Sequence, residues 1–222
     1  MTQFESLGLR GVIFDMDGLL FDTESLYMEA WPHVGRAMGF SIPMEVAKRT
    51  IARPRAECEL MLQALYGPSF SMEEAHGLLG ERVRSHLIEN GMPLKPGAEA
   101  LLSLLHKRDI PVALGTSNRL WVAKAYLEHA GLLPYFGPLV TGDMVEHVKP
   151  APDIFLKAAS EMGLQPDQCL VLDDSPTGIT AAYRAGCRPA MVPDLLEPTA
   201  ETLGQVWRIF KSLEEVPDVL FL

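Results

Sequence analysis

Four short runs of apolar residues recur along the chain, and each run stops at a cluster of polar residues. The runs cover positions 11–14, 111–115, 138–140 and 169–172, and the residues that follow them are Asp15, Thr116, Thr141 and Asp173. Short apolar runs bounded by turn-forming residues are typical of buried strands. The pattern therefore predicts four strands with polar side chains at their carboxyl ends.

Segments with helical periodicity separate these runs. Apolar residues recur at i, i+3 and i+4 over 98–105, 122–127 and 154–162. Helix ends are predicted at Gly131, Gly163 and Gly186, and N-caps at Asn118 and Ser175. Strands that alternate with helices form right-handed βαβ units, so we expect an α/β fold with a doubly wound parallel sheet. One more strand is predicted within 206–210.

One long segment breaks the alternation. Residues 19–92 are helical in pattern, with apolar stripes at positions 60–65 (Leu60, Met61, Ala64 and Leu65) and at positions 78–87. The segment ends at the Pro- and Gly-rich stretch 92–97, which is typical of a domain boundary. We therefore expect a core of residues 1–18 and 93–222, with a helical domain of residues 19–92 inserted after the first strand.

Composition narrows the choice of partner and compartment. Nineteen Lys and Arg residues against 29 Asp and Glu residues give a net charge of −10, so the overall field repels nucleic acid and anionic lipid. We find no signal peptide and no apolar stretch of about 18 residues that could span a membrane. The separated Cys58, Cys169 and Cys187 indicate reduced thiols. We expect a cytoplasmic protein, a monomer or weak dimer, that binds a small molecule.

The first polar cluster, Asp15-Met16-Asp17-Gly18, carries the strongest chemical signal. An Asp-x-Asp pair alone is weak evidence, because a solvated acidic loop has the same sequence. Two carboxylates at the end of a buried strand repel each other unless a positive group lies near them. A divalent cation is the simplest such group.

The residues from Phe14 to Glu24 resemble the first motif of the haloacid dehalogenase superfamily. Three further segments resemble its other motifs in the correct order: Thr116 at a strand end, Lys149 in the segment 149–155, and Asp173-Asp174-Ser175 followed by Gly178. The resemblance spans nearly the whole chain. It implies a Rossmann-like core, and the inserted helical segment resembles the small cap domain of the β-phosphoglucomutase-like branch.

The resemblance also implies a role for each residue in phosphoryl transfer. Asp15 would be the nucleophile and Asp17 the general acid and base, with Lys149 and Thr116 stabilising the transferring phosphoryl group. Mg²⁺ would be bound by the carboxylates of Asp15 and Asp174 and by the backbone carbonyl of Asp17.

The remaining assignments have weaker support in the sequence. Asp173 would orient Lys149 or a metal-bound water, although many members of the superfamily have Glu there. Ser117, Asn118 and Arg55 are candidate substrate-binding residues, with Arg53 a weaker candidate beside Arg55. The turn Gly142-Asp143 either helps to hold Lys149 or is an ordinary turn.

These roles predict a Mg²⁺-dependent phosphatase that hydrolyses a small phosphorylated metabolite, such as a sugar, nucleotide or polyol phosphate, through a phospho-Asp15 intermediate. Leu26-Tyr27 after Asp22-Thr23-Glu24, together with Met191-Val192-Pro193-Asp194, resembles the branch that contains pseudouridine-5′-phosphatase and polyol-phosphate phosphatases. A hexose-phosphate mutase is one alternative, but Tyr27 stands where the mutases have a histidine. A non-catalytic protein that binds phosphorylated metabolites is the second alternative.

Overall fold

A six-stranded parallel sheet lies at the centre of the larger of two units into which the chain folds. The computed structural model describes residues 2–51, 53 and 55–221, with only the backbone described at Ile88. The larger unit contains the residues up to Asp22 and those from Met92 onward, and the smaller unit is Thr23–Gly91. The chain therefore leaves the larger unit once, eight residues after the first strand, and returns to it once.

The strands lie in the order β3-β2-β1-β4-β5-β6, and every neighbouring pair is parallel. Their bounds are β1 (Gly11–Phe14), β2 (Val112–Gly115), β3 (Leu139–Val140), β4 (Cys169–Asp173), β5 (Arg188–Met191) and β6 (Arg208–Ile209). The sheet order reverses between β1 and β4, so the expected doubly wound parallel fold is confirmed. In such sheets ligands bind beyond the carboxyl ends of the strands.

The helices follow the strands in the expected alternation. Among the described residues they are α1 (Gln3–Ser6), α2 (Thr23–Ala37), α3 (Met44–Ala47), α4 (Arg55–Tyr66), α5 (Met72–Asn90), α6 (Ala98–Lys107), α7 (Leu120–His129), α8 (Asp153–Glu161), α9 (Pro176–Arg184), α10 (Ala200–Gln205) and α11 (Val216–Phe221). None of them is long and apolar enough to cross a membrane.

Both faces of the sheet are covered, because successive side chains on a strand point to opposite sides. Val12 and Phe14 pack with residues of α6 and α11 on one face, whereas Ile13 packs with residues of α8 and α9 on the other. Continuous burial of β1, β2 and β4 explains why these strands are apolar runs without alternation.

The sequence pattern does not predict β5. Pro189 lies inside this strand and pairs with Val171 of β4, although proline is normally confined to edge strands because it cannot donate a hydrogen bond. Here its carbonyl accepts a hydrogen bond from the N–H of Trp207. The strand is therefore held by its other donors and by the burial of Ala190 and Met191.

The smaller unit has its own apolar core, formed by residues of α2, α4 and α5 that include Met28, Trp31 and Leu79. The stripe predicted at positions 60–65 is wrong. Helix α4 buries Cys58 and Leu62, whereas Leu60 and Leu65 are exposed. Several apolar residues lie around this helix, so periodicity alone does not determine which side is buried.

The three cysteines are buried and free, as the sequence predicts.

Candidate active site

Asp15 lies directly after the central strand β1, at the carboxyl edge of the sheet. Its backbone N–H donates to the carbonyl of Leu172 on β4, 3.0 Å away, and the residue is 8% exposed. The neighbouring strands β2 and β4 end beside it. Thr116 directly follows β2, and Asp173 is the last residue of β4. Parallel pairing thus brings residues from three distant segments to one edge.

Lys149 joins two of these segments. Its Nζ lies 2.6 Å from Oδ1 of Asp15 and 2.9 Å from Oδ2 of Asp173, and its side chain is 6% exposed. The ammonium also lies 4.9 Å from the centre of the Phe155 ring. A buried ammonium is costly without such partners, so these contacts fix the Lys149 charge against the Asp15 carboxylate.

Asp173 is held by the start of helix α9 as well as by Lys149. Its Oδ1 accepts hydrogen bonds from the N–H (3.0 Å) and the hydroxyl (2.7 Å) of Ser175. Ser175 in turn accepts a hydrogen bond from the N–H of Gly178, which confirms it as the N-cap of α9. A side chain at Gly178 would collide with the Asp173 carboxylate. Both oxygens of Asp173 are therefore occupied by protein donors.

Asp174 completes a cluster of three buried carboxylates. One oxygen each from Asp15, Asp173 and Asp174 lies within 4.8 Å of the other two. Gly18, with a φ of 76°, comes so close to the Asp174 carboxylate that a Cβ there would collide with it. No described residue donates a hydrogen bond to Asp174, in contrast to Asp173.

Burial and mutual repulsion disfavour the ionised state of this cluster. Burial raises the pKa of Asp15 to about 7, although the Lys149 charge opposes this rise. Burial, and then the charges of Asp173 and Asp15, raise the pKa of Asp174 well above its usual range. Burial lowers the pKa of Lys149, but the charges of Asp15 and Asp173 outweigh it and raise the pKa overall. Lys149 is therefore a permanent cation among three carboxylates.

The cluster suits a divalent cation. Its ligand atoms are carboxylate oxygens, which Mg²⁺ prefers, and the one ammonium does not balance three carboxylates. A bound cation favours ionised carboxylates, which burial alone opposes here. Asp15 and Asp174 are the available ligands, because Asp173 already accepts hydrogen bonds at both of its oxygens.

The loop after β2 holds the second aspartate of the first motif. The side-chain amide of Asn118 donates to Oδ2 of Asp17, and the backbone N–H of Asn118 donates to the Thr116 hydroxyl, 3.2 Å away. Thr116 is 2% exposed and its N–H bonds to the carbonyl of Val140 on β3. The structure thus brings Thr116 and Asp17 together through Asn118.

One expectation for a nearby loop is wrong. Asn118 does not cap α7, because the helix begins at Leu120 and the N-cap position is Arg119. The N–H of Leu120 is instead bonded to the Asp143 carboxylate at 3.1 Å, and Asp143 also accepts a hydrogen bond from the Thr141 hydroxyl. The turn Gly142-Asp143 therefore supports the start of α7, and among the described residues no hydrogen bond or ion pair joins Asp143 to Lys149.

The remaining candidates lie at exposed positions. Ser117 is exposed on the loop after β2. Arg55 begins helix α4 in the smaller unit, where its guanidinium lies 3.8 Å from the Glu73 carboxylate, and Arg53 is exposed nearby. The assignment of Ser117, Arg55 and Arg53 to substrate binding stays a prediction.

Some contacts near the site have no clear sequence signal. Phe155 lies in the segment 149–155, but nothing in that segment predicts its contact with the Lys149 ammonium. Lys95 lies 2.6 Å from Asp194 and 3.8 Å from Asp22, and the Asp194 side chain is 8% exposed. Lys95 and Asp194 are 99 residues apart, and nothing in the sequence predicts that they pair. Only the folded chain reveals this buried ion pair.

Comparison with known proteins identifies relatives over most of the chain. A family model described as haloacid dehalogenase-like hydrolase matches residues 9–186. Fructose-1-phosphate phosphatase of Escherichia coli (strain K12) is 38% identical over 79% of this chain and 92% of that protein. A probable pseudouridine-5′-phosphatase of Drosophila melanogaster is 37% identical over 82% of this chain and 80% of that protein.

A solved structure matches the fold over nearly the full length. The crystal structure of a putative β-phosphoglucomutase from Thermotoga maritima has a TM-score of 0.81 and 29% sequence identity. The match covers 95% of this chain and 98% of that one. Phosphatases and a putative mutase are therefore both among the proteins that this chain is similar to.

Proposed function

The chain belongs to the haloacid dehalogenase-like hydrolase family and is a phosphoric monoester hydrolase, and from that premise we propose that it is a Mg²⁺-dependent phosphatase working through a phospho-Asp15 intermediate. The observation that supports this most is the contact between Lys149 and Asp15 beside the Asp174 carboxylate. The proposed nucleophile, a fixed cation and a carboxylate proposed to bind the metal lie together at the edge where ligands bind in such sheets.

Asp15 would attack phosphorus. Its Oδ1 is held by Lys149, which leaves Oδ2 to form the new bond to phosphorus while the bond from phosphorus to the alcohol oxygen breaks. Mg²⁺ held by Asp15, Asp174 and the backbone carbonyl of Asp17 would neutralise these carboxylates and the phosphoryl oxygens. A carboxylate that is ionised in this setting needs no separate base to attack.

Asp17 would move the protons. In the first step its carboxyl group protonates the departing alkoxide, and the alcohol leaves. In the second step the Asp17 carboxylate takes a proton from a water molecule that attacks the phosphorus of phospho-Asp15. The bond from phosphorus to Oδ2 then breaks, which releases phosphate, regenerates the Asp15 carboxylate and returns Asp17 to its protonated state.

Lys149 and Thr116 would bind the transferring group. The Lys149 ammonium, with three donors, can reach a phosphoryl oxygen while it keeps its bonds to Asp15 and Asp173. The Thr116 hydroxyl accepts from Asn118, so its own hydrogen is directed elsewhere and can be donated to a second phosphoryl oxygen. Asp173 would act through Lys149 by fixing its position.

The substrate would be a small phosphorylated metabolite. The named relatives act on fructose 1-phosphate and, for the probable enzyme, pseudouridine 5′-phosphate, so a sugar, polyol or nucleotide monophosphate is the class to test. Ser117 and Asn118 on the loop after β2, and Arg55 in the smaller unit, are the candidates for contacts beyond the phosphate.

A hexose-phosphate mutase is the second candidate, because the structural neighbour described above is a putative β-phosphoglucomutase. Tyr27 occupies the position where the resemblance predicts a histidine in mutases, which favours hydrolysis. Incubation with β-glucose 1-phosphate and a trace of glucose 1,6-bisphosphate separates the two. Release of free phosphate supports the phosphatase, and isomerisation without phosphate release supports the mutase.

The direct test of the proposed function uses p-nitrophenyl phosphate and a panel of sugar, polyol and nucleotide monophosphates. We expect phosphate release with Mg²⁺, none with EDTA, and none from Asp15→Asn. Asp167→Asn is the matched control, because Asp167 is an exposed carboxylate outside the site. Absence of turnover with every substrate in the presence of Mg²⁺ would instead favour a non-catalytic protein that binds phosphorylated metabolites.

A further inference from the structure

Two hydrogen bonds hold the backbone of Asn118 in place on the loop after β2. Its backbone N–H donates to the Thr116 hydroxyl at 3.2 Å, and its carbonyl accepts from the N–H of Gly142 at 2.8 Å. A Cβ at Gly142 would collide with the backbone of Ser117, so the loops after β2 and β3 pack directly on each other. This backbone arrangement directs the side-chain amide of Asn118 at Asp17.

Asn118 is the donor in its contact with Asp17. The side-chain nitrogen of Asn118 carries two hydrogens and no lone pair that can accept, so Oδ2 of Asp17 must be the acceptor. The amide of Asn118 therefore holds the Asp17 carboxyl group through Oδ2.

We propose that Asn118 is a positioning residue, which holds the Asp17 carboxyl group in the direction that proton transfer to the leaving oxygen requires. This inference rests on the proposed function, because it assigns to Asp17 the role of acid and base. It differs from the expectation that Asn118 binds the substrate beyond its phosphate. The hydrogen bond at Oδ2 restrains rotation of the Asp17 carboxyl group.

The inference narrows the substrate class. A correctly directed acid matters when the leaving oxygen is strongly basic, as in the alkoxides of sugars and polyols. It matters little when the leaving group is a weak base such as p-nitrophenolate. A protein that holds Asp17 in this way is built for alkyl phosphates and gains little from aryl phosphates.

The dependence of rate on the leaving group tests this role. The value of kcat/KM covers the steps up to release of the alcohol and so excludes hydrolysis of phospho-Asp15. We would measure it with Mg²⁺ for a series of substituted phenyl phosphates and for benzyl phosphate, an alkyl phosphate of similar size. Proton transfer by a positioned side chain accelerates a reaction about 10²–10⁴-fold. Loss of the correct position should therefore reduce kcat/KM by part of that factor.

For Asn118→Ala and Asn118→Leu we expect kcat/KM to fall about 10–100-fold for benzyl phosphate and less than about threefold for p-nitrophenyl phosphate. Asn118→Leu keeps about the size of the side chain and removes the donor without adding a charge. The dependence on leaving-group basicity should become steeper in both variants. The control is Asn90→Ala. The side-chain amide of Asn90 donates to the carbonyl of His86 within α5, so the values of kcat/KM for this variant should match those of the wild-type protein.

An equal decrease in kcat/KM for all leaving groups would overturn the positioning role. So would a wild-type protein whose kcat/KM already depends on leaving-group basicity as steeply as that of the variants. An increase in KM with an unchanged dependence would show that Asn118 binds substrate instead. Failure of the wild-type protein to release phosphate from every member of the series would count against the proposed function itself. The two failures are therefore distinguishable.

Discussion

Oδ2 of Asp173 lies 2.9 Å from Nζ of Lys149, while Oδ1 of Asp173 is bonded to the N-cap residue Ser175. The side chain is fully buried. Asp173 therefore connects the start of helix α9 to the cation that contacts Asp15. This geometry favours a role in holding Lys149 over a role in binding the metal.

The two roles make different predictions for Asp173→Asn. The variant keeps an acceptor for Lys149 but loses one charge, so we expect kcat to fall about tenfold, as is usual when a residue that orients an active-site group is changed. The Mg²⁺ concentration for half-maximal activity should stay the same. A large increase in that concentration would show that Asp173 binds the metal directly.

Asp174→Asn should show the opposite behaviour. Asp174 accepts no hydrogen bond from the described residues and shares the cluster with Asp15, so its proposed role is to bind Mg²⁺. We expect the Mg²⁺ concentration for half-maximal activity to rise about 10–100-fold, measured by titrating Mg²⁺ at saturating substrate. The metal-free variant should also unfold at a higher temperature, because the substitution removes a buried carboxylate that Asp173 and Asp15 repel. An unchanged Mg²⁺ requirement would contradict the assignment.

Stability of the metal-free protein should fall as the pH rises. The pKa of Asp15 is raised to about 7 by burial, whereas an aspartate in an unfolded chain has a pKa of about 3.9. Between these values the folded protein binds more protons than the unfolded chain, so raising the pH destabilises the folded state. Urea unfolding in EDTA from about pH 4 to about pH 8 would measure the effect.

Comparison with Asp15→Asn isolates this contribution, because the variant lacks the titrating carboxyl group. The free energy of unfolding of Asp15→Asn minus that of the wild-type protein should increase through this pH range, because only the wild-type protein loses stability by ionising residue 15. Mg²⁺ should reduce the difference. A difference that is constant with pH would show that Asp15 does not titrate with a raised pKa in the folded protein.

Lys95 should contribute to stability through Asp194. The two side chains are 22% and 8% exposed, with 2.6 Å between Nζ and Oδ1. Lys95→Met would leave a buried carboxylate without its cation, and we expect a loss of about 2–3 kcal/mol in the free energy of unfolding, less than for a fully buried pair. The second substitution Asp194→Asn should recover much of that loss. If Lys95→Met unfolds at the wild-type urea concentration, this ion pair does not stabilise the fold.

The sequence predicts that the candidate site residues meet at one edge of the sheet, because parallel strands impose this arrangement. Asp15, Thr116 and Asp173 each stand at the end of an apolar run, and the carboxyl ends of parallel strands lie at one edge. Ser175 is also predictable as an N-cap, since a serine before a helix accepts a backbone hydrogen bond. These features depend on local patterns and on one topological rule.

Other features depend on contacts that no local pattern encodes. The sequence before α7 is compatible with a cap at Asn118, but the amide of Asn118 bonds instead to Asp17, 101 residues away. Strand β5 contains Pro189, which local rules exclude from an internal strand. In each case a tertiary contact decides between two locally acceptable arrangements.

The claim that Asp15 attacks phosphorus is tested most directly by trapping the intermediate. The protein would be mixed with Mg²⁺ and a substrate from the panel, quenched in acid during turnover, reduced with borohydride and analysed by peptide mass spectrometry. Borohydride reduces an aspartyl phosphate to homoserine, so we predict homoserine at position 15 only when substrate and Mg²⁺ are both present. Turnover with unmodified Asp15, or with the phosphoryl group on another residue, would contradict the mechanism.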